Sequence, residues 1–157
     1  MGTMLTAGRI ICVGAVLALA LGACSAVRSE SDSFATLQEA KAAGAIERGW
    51  VPAGLPEKTT DLRDAHVPSG THWGLFSFPP DDATPLRALV GDEITTSPPP
   101  CNPPARFEWW PRMLRSPINV ASAHETGLRF YTSRDGQRVF AVNWKQGRGF
   151  YWSVEER

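Results

Sequence analysis

The sequence predicts an α+β fold: a single small domain with an antiparallel sheet of four to five strands, one or two short helices and a C-terminal β-meander. Three observations carry this expectation. First, Leu128–Ser133, Arg138–Trp144 and Phe150–Val154 are strand-like runs separated by Asp135-Gly136 and Gln146-Gly147, and Asp-Gly is a strong hairpin turn. Phe140, Val142 and Trp144 form one alternating stripe and Phe150, Trp152 and Val154 another. Second, Thr71–Phe78 is apolar on both faces, with Trp73 and Leu75 on one side and Phe76 and Phe78 on the other. Such a strand belongs in the middle of a sheet covered on both sides. Third, 13 Pro and 14 Gly leave room for few long helices.

The elements follow in chain order. Ile10–Leu21 is an apolar run of 12 residues behind Arg9. It is shorter than the ~20 residues that span a bilayer and has the length of a signal-peptide core. Leu21-Gly22-Ala23-Cys24 resembles the lipobox of bacterial lipoproteins, with an aliphatic residue, two small residues at the scissile bond and a cysteine whose thiolate takes the diacylglyceryl group. The expected organisation is therefore a signal peptide over 1–23, a lipidated Cys24 with a flexible tether over 24–33, and a folded domain over 34–157. Two or more acyl chains make a stable anchor. The protein is expected to be anchored to a membrane without spanning it, on the periplasmic or outer face of the cell. Ser25 at the position after the cysteine favours the outer membrane in a Gram-negative host.

Phe34 to about Ala43 reads as a short helix, capped by Asp32 or Ser33 and stopped by Gly44. Gly49-Trp50-Val51-Pro52 and Leu55-Pro56 read as an extended passage, and Thr59–Val67 as a weakly alternating strand. Asp81–Val90 reads as a second short helix with Asp82 or Thr84 at its cap and Pro85 in its first turn. Asp92–Pro104 holds five prolines, which remove ladder donors, so it reads as a long loop or rigid strap.

Composition excludes several classes. Without residues 1–23, which contain Arg9 as their only charged residue, 15 Lys and Arg face 16 Asp and Glu. So balanced a charge implies no nucleic-acid partner. Cys12 leaves with the signal and Cys24 is consumed by lipid, so Cys101 has no internal disulfide partner. It is expected to be a buried or neglected cysteine, and Cys101→Ser to be mild.

Three candidate clusters stand out. Asp61, Asp64 and His66 are open to an acid–base or metal reading, with His66 and His72 meeting across a hairpin; in a strand Asp64 and His66 share a face while Asp61 points away. No close-spaced ligand pair accompanies them, and the expectation is hydrogen-bonded structural polar groups. No catalytic residue, cofactor or metal site is assigned from the sequence, and His124-Glu125 stands alone in an expected loop. Trp109-Trp110 is the third. In an extended segment one of the two enters the core and the other is left near the surface, as a candidate recognition platform.

Gly44-Ala45-Ile46-Glu47-Arg48-Gly49-Trp50-Val51-Pro52, Leu55-Pro56, Thr60–His66 and Trp73–Phe78 together resemble small uncharacterised bacterial lipoproteins of the YbbD head-domain type. Phe140–Trp144 and Gly149–Trp152 look like the hairpin that closes that domain. The resemblance covers about Phe34 to Trp152. It implies a lipid-anchored α+β domain and no particular activity. The chain departs from the type at Pro68-Ser69-Gly70-Thr71-His72, where Asp-Thr-Asn is common.

The functional expectation is a non-enzymatic, lipid-anchored envelope module that contacts another envelope protein or a glycan. An envelope hydrolase using Asp64 and His66, and a purely structural lipoprotein, are the alternatives.

Overall fold

A computed structural model describes residues 30–154 except Ser69 and Ala105. The expected signal peptide, Cys24 and the first part of the tether lie outside the described residues. The described residues form seven strands: β1 (Glu30–Thr36), β2 (Thr60–His66), β3 (His72–Ser77), β4 (Val90–Ile94), β5 (Arg129–Ser133), β6 (Arg138–Asn143) and β7 (Arg148–Ser153). They make one antiparallel sheet in the order β1-β2-β3-β7-β6-β5-β4. Three short helices accompany it: α1 (Leu37–Ala42), α2 (Thr84–Leu89) and α3 (Val120–Glu125). Among the described residues no helix is long and apolar enough to cross a membrane.

The α+β class and the C-terminal meander stand as expected, with β5, β6 and β7 on the three predicted runs. Two edge strands raise the strand number from four or five to seven. Glu30–Ser33, expected in the tether, belong to β1 and pair with β2. Asp92–Ile94, expected in the proline loop, belong to β4. The first helix is correspondingly shorter than Phe34–Ala43. Its cap is Thr36, whose side chain accepts from the Glu39 amide, while the Glu39 carboxylate accepts from the Ala35 amide. This is close to a capping box, spelled Thr-x-x-Glu in the sequence. Gly44 ends it as expected: Ala45 N–H bonds Ala40 O and Gly44 N–H bonds Lys41 O, a Schellman motif. The second helix splits into a 3-10 turn at Pro80–Asp82 and α2, which has no side-chain cap.

The sheet is buried on both faces. One face carries Trp73, Leu75, Val139, Ala141, Phe150 and Trp152, covered by the loop that runs from β4 to α3 and by α3 itself. The other carries Leu62, Phe76, Phe140, Val142 and Tyr151, covered by α1, by the chain from Ala45 to Leu55 and by α2. Cys101 lies in the first layer, 1% exposed, and burial pushes its thiol far above the usual range. Burial is one of the two readings the sequence offered for Cys101, whose lone thiol closes no loop. At a buried position the new hydroxyl of Cys101→Ser needs a partner, so the cost rises from mild to about 1–3 kcal/mol.

The centre of the sheet is an interlock of glycine and aromatic residues. Gly74 pairs with Tyr151 and Phe76 with Gly149 across β3 and β7. A Cβ on Gly74 would overlap the Tyr151 ring, and one on Gly149 would overlap the Phe76 ring. Each glycine is thus the floor on which the opposite ring lies. Gly74→Ala is expected to destabilise the fold by about 3 kcal/mol through overpacking; a urea midpoint close to that of the unaltered protein would show that the ring is not seated there.

Candidate functional site

A row of polar residues crosses the α1 face at one end of the sheet. Glu30 pairs with His66 and His66 with His72, and Ser153 pairs with Arg138. His72 N–H donates to Ser153 Oγ at 3.0 Å, which joins the two halves. One register step inwards, Asp32 pairs with Asp64 and Asp64 with Gly74. Alternation along β1 and β2 puts Glu30, Asp32, Asp64 and His66 on one face.

Asp64 is 0% exposed. Its Oδ2 lies 3.0 Å from His66 Nδ1, while its Oδ1 has no hydrogen-bond partner among the described residues. Burial raises the Asp64 pKa to about 6, against the opposing pull of His66. The His66 side chain is 9% exposed, and its Nε2 faces Glu30 Oε2 at 3.7 Å. Asp32, Asp64 and His66 each bring one possible ligand atom within 4.8 Å of the others.

The wall of the site is the turn after α1. Gly49 adopts a φ of 76°, which suits glycine and swings Trp50 back over the sheet. The Trp50 ring stacks on His66 with centroids 3.8 Å apart and planes 13° from parallel. The Arg48 guanidinium lies 4.1 Å from the Trp50 centroid. Two groups that close cannot share one ring face, so Trp50 is sandwiched between Arg48 and His66. The sheet clips this turn in place twice: Arg138 donates to Gly49 O at 2.9 Å and Tyr151 Oη to Trp50 O at 3.0 Å. A shallow cleft lined by Glu30, Trp50, His66, Val67, Pro68 and Gly70 opens beside the His66 ring.

Of the residues singled out in the sequence, the structure brings Asp64 and His66 together. His72 does not join them. Its Nδ1 contacts Gly70 O at 3.1 Å and its Nε2 accepts from Arg138 Nε at 3.1 Å. Burial and the Arg138 charge lower its pKa, so the ring is neutral with both nitrogens engaged. Asp61 sits apart, bonded to Arg148 at 2.6 Å. His124 lies in α3, not in a loop, against Phe130. Asp32, Glu30 and Trp50 are the members that spacing did not reveal. Gly49-Trp50 belongs to the quoted resemblance, but nothing local says that its ring reaches His66.

Trp109 and Trp110 lie on the other face of the sheet. Trp110 is 2% exposed, edge-on to Phe150 and Trp152. Trp109 is half-buried and packs on Phe107 and Trp110. The division expected of the pair holds, with Trp109 the surface member.

A carboxyl whose folded pKa lies above its unfolded value favours the fold when protonated. Its contribution is complete below the ordinary aspartate value of 3.8 and is lost as pH rises through about 6, a change of about 3 kcal/mol. The stability of the unaltered protein relative to Asp64→Asn is therefore expected to fall between pH 4 and pH 7. A relative gain over that window contradicts the burial argument.

No curated protein and no solved structure shows a significant match to the chain. The family model described as YbbD head domain matches residues 29–77. The C-terminal hairpin, included in the resemblance, lies outside the matched range. The match takes in β1, α1, the Trp50 turn, β2 and β3, and so the whole of Glu30, Asp32, Trp50, Asp64 and His66: this part of the chain is similar to the YbbD head domain.

Proposed function

We propose that this is a lipid-anchored envelope protein, held through Cys24, whose domain binds another envelope protein or a glycan rather than catalysing a reaction. The observation that carries the reading is Trp109, half-buried at the surface beside the proline strap, in a stretch tied together by hydrogen bonds. Arg115 donates to Pro103 O at 2.7 Å, to Pro104 O at 3.5 Å and to Phe107 O at 3.3 Å. Cys101 and Ser116 are joined by two bonds, from Cys101 N–H to Ser116 Oγ and from Ser116 N–H to Cys101 O. Trp110 anchors the same segment in the core. A pre-ordered loop loses little entropy on docking, and tryptophan supplies much contact area for two torsions. The Leu21-Gly22-Ala23-Cys24 sequence supports the anchor, and a short tether keeps the domain close to the membrane surface.

A hydrolytic reading has its own support in the Asp64–His66 contact beside a cleft, since an oriented imidazole is a general base in many enzymes. The two readings separate by mutation in the cell. Trp109→Ala is expected to abolish crosslinking of the anchored protein to its partner while the purified domain still unfolds cooperatively, at a cost of about 1–2 kcal/mol for the lost packing. His66→Ala is expected to leave the crosslink in place. A folded His66→Ala protein with the phenotype of a deletion, together with a normal Trp109→Ala, would put the hydrolytic reading in its place.

A further inference from the structure

Asp64 poses a problem that its protein neighbours leave unsolved. A fully buried carboxylate has one oxygen on His66 and, among the described residues, no partner for the other. Its cross-strand partner on the same face is a second acid, Asp32, and like charges directly opposite destabilise a sheet. The Arg48 charge is felt at Asp64, but the guanidinium is stacked on Trp50 and donates to Ala43 O. A buried acceptor without a donor ordinarily has an explanation such as an ion or a water.

We propose that Asp32, Asp64 and His66 bind a divalent transition-metal ion of the zinc type, with Glu30 at the mouth of the site. The donor set is two carboxylates and an imidazole, which suits zinc and its neighbours better than the all-oxygen cages of calcium or magnesium. Asp64 Oδ2 and His66 Nδ1 are hydrogen-bonded at 3.0 Å in the metal-free cluster; an ion replaces that bond, and tetrahedral coordination with bonds of about 2.1 Å asks the two atoms to separate to about 3.4 Å. Asp32, exposed on the edge strand, closes from within 4.8 Å by a side-chain rotation. The ion supplies the buried Asp64 carboxylate with a cation and turns the Asp32–Asp64 repulsion into shared coordination. Trp50 covers the imidazole and holds its plane. The three ligands come from β1 and β2, 32 and 34 residues apart at the widest, so no short sequence pattern announces them.

The test is calorimetric titration of ZnCl2 into the full chain in detergent, stripped beforehand with a chelator. One equivalent is expected to bind with a micromolar or tighter Kd. Asp32→Asn, an exposed change that leaves the metal-free melting temperature in place, is expected to raise that Kd at least tenfold. Asp64→Asn is expected to remove saturable binding. In the unaltered protein the His66 ring resonances should move on addition of Zn2+ while those of His72 stay. Absence of binding at 1 mM ZnCl2, or equal binding by the unaltered protein and Asp32→Asn, overturns the proposal. So does a shift of His72 or His124 in place of His66.

Discussion

Two aromatic rings laid on two glycines hold the centre of this sheet, and the rest of the molecule is arranged around them. In an ordinary antiparallel pair, opposite side chains stand side by side and fill the space between sheet and covering layer. Here Tyr151 lies over Gly74 and Phe76 over Gly149, so the two central strands approach the covering layer with flat rings instead of upright chains. Glycine in a strand interior weakens it by leaving a gap; the neighbouring ring fills that gap, and each glycine becomes specific for its aromatic partner. The seating also decides where the Tyr151 hydroxyl goes. It ends at Trp50 O, on the chain that covers the same face.

From that hydroxyl the order of the site follows. Tyr151 and Arg138 hold the carbonyls of Trp50 and Gly49, which lays the Trp50 ring on His66. His66 in turn occupies one oxygen of Asp64. Arg138 also engages His72, which keeps the second histidine neutral and out of the cluster. The result is an asymmetric pair of histidines in register. One is committed to the scaffold through both nitrogens. The other is stacked, oriented by a buried acid and turned towards Glu30 and the cleft. Burial makes the acid reluctant to ionise, and the same burial makes any charge held beside it count for more.

The parts of this arrangement that were legible in the sequence are those with short-range signals. Alternation exposed the meander and the two-faced strand β3, because Trp73, Leu75 and Phe76 must all be covered. Gly44 marked the end of α1. The parts that were not legible depend on pairing over distance. β1 reads as a tether because Glu30 to Ser33 are exposed on an edge strand, where only Phe34 packs against a neighbour. The meeting of Asp32 with Asp64 follows from the register of β1 on β2, which no local pattern specifies. The Trp50–His66 stack depends on the clip from β6 and β7, formed about 90 to 100 residues downstream. Trp109-Trp110 was divided correctly between surface and core. The reason is not extended alternation, since the pair lies in a turn; only one ring fits against Phe150 and Trp152.

The central claim is that the Tyr151 hydroxyl, fixed by the Gly74 floor, positions Trp50 on His66. Proton NMR of the His66 ring tests it directly. Stacking under an indole at 3.8 Å shields the imidazole protons, so they should resonate well upfield of the usual histidine range and return towards it in Tyr151→Phe, with far-ultraviolet circular dichroism unchanged. His66 resonances at ordinary positions in the unaltered protein, or upfield ones that Tyr151→Phe leaves in place, would contradict the account.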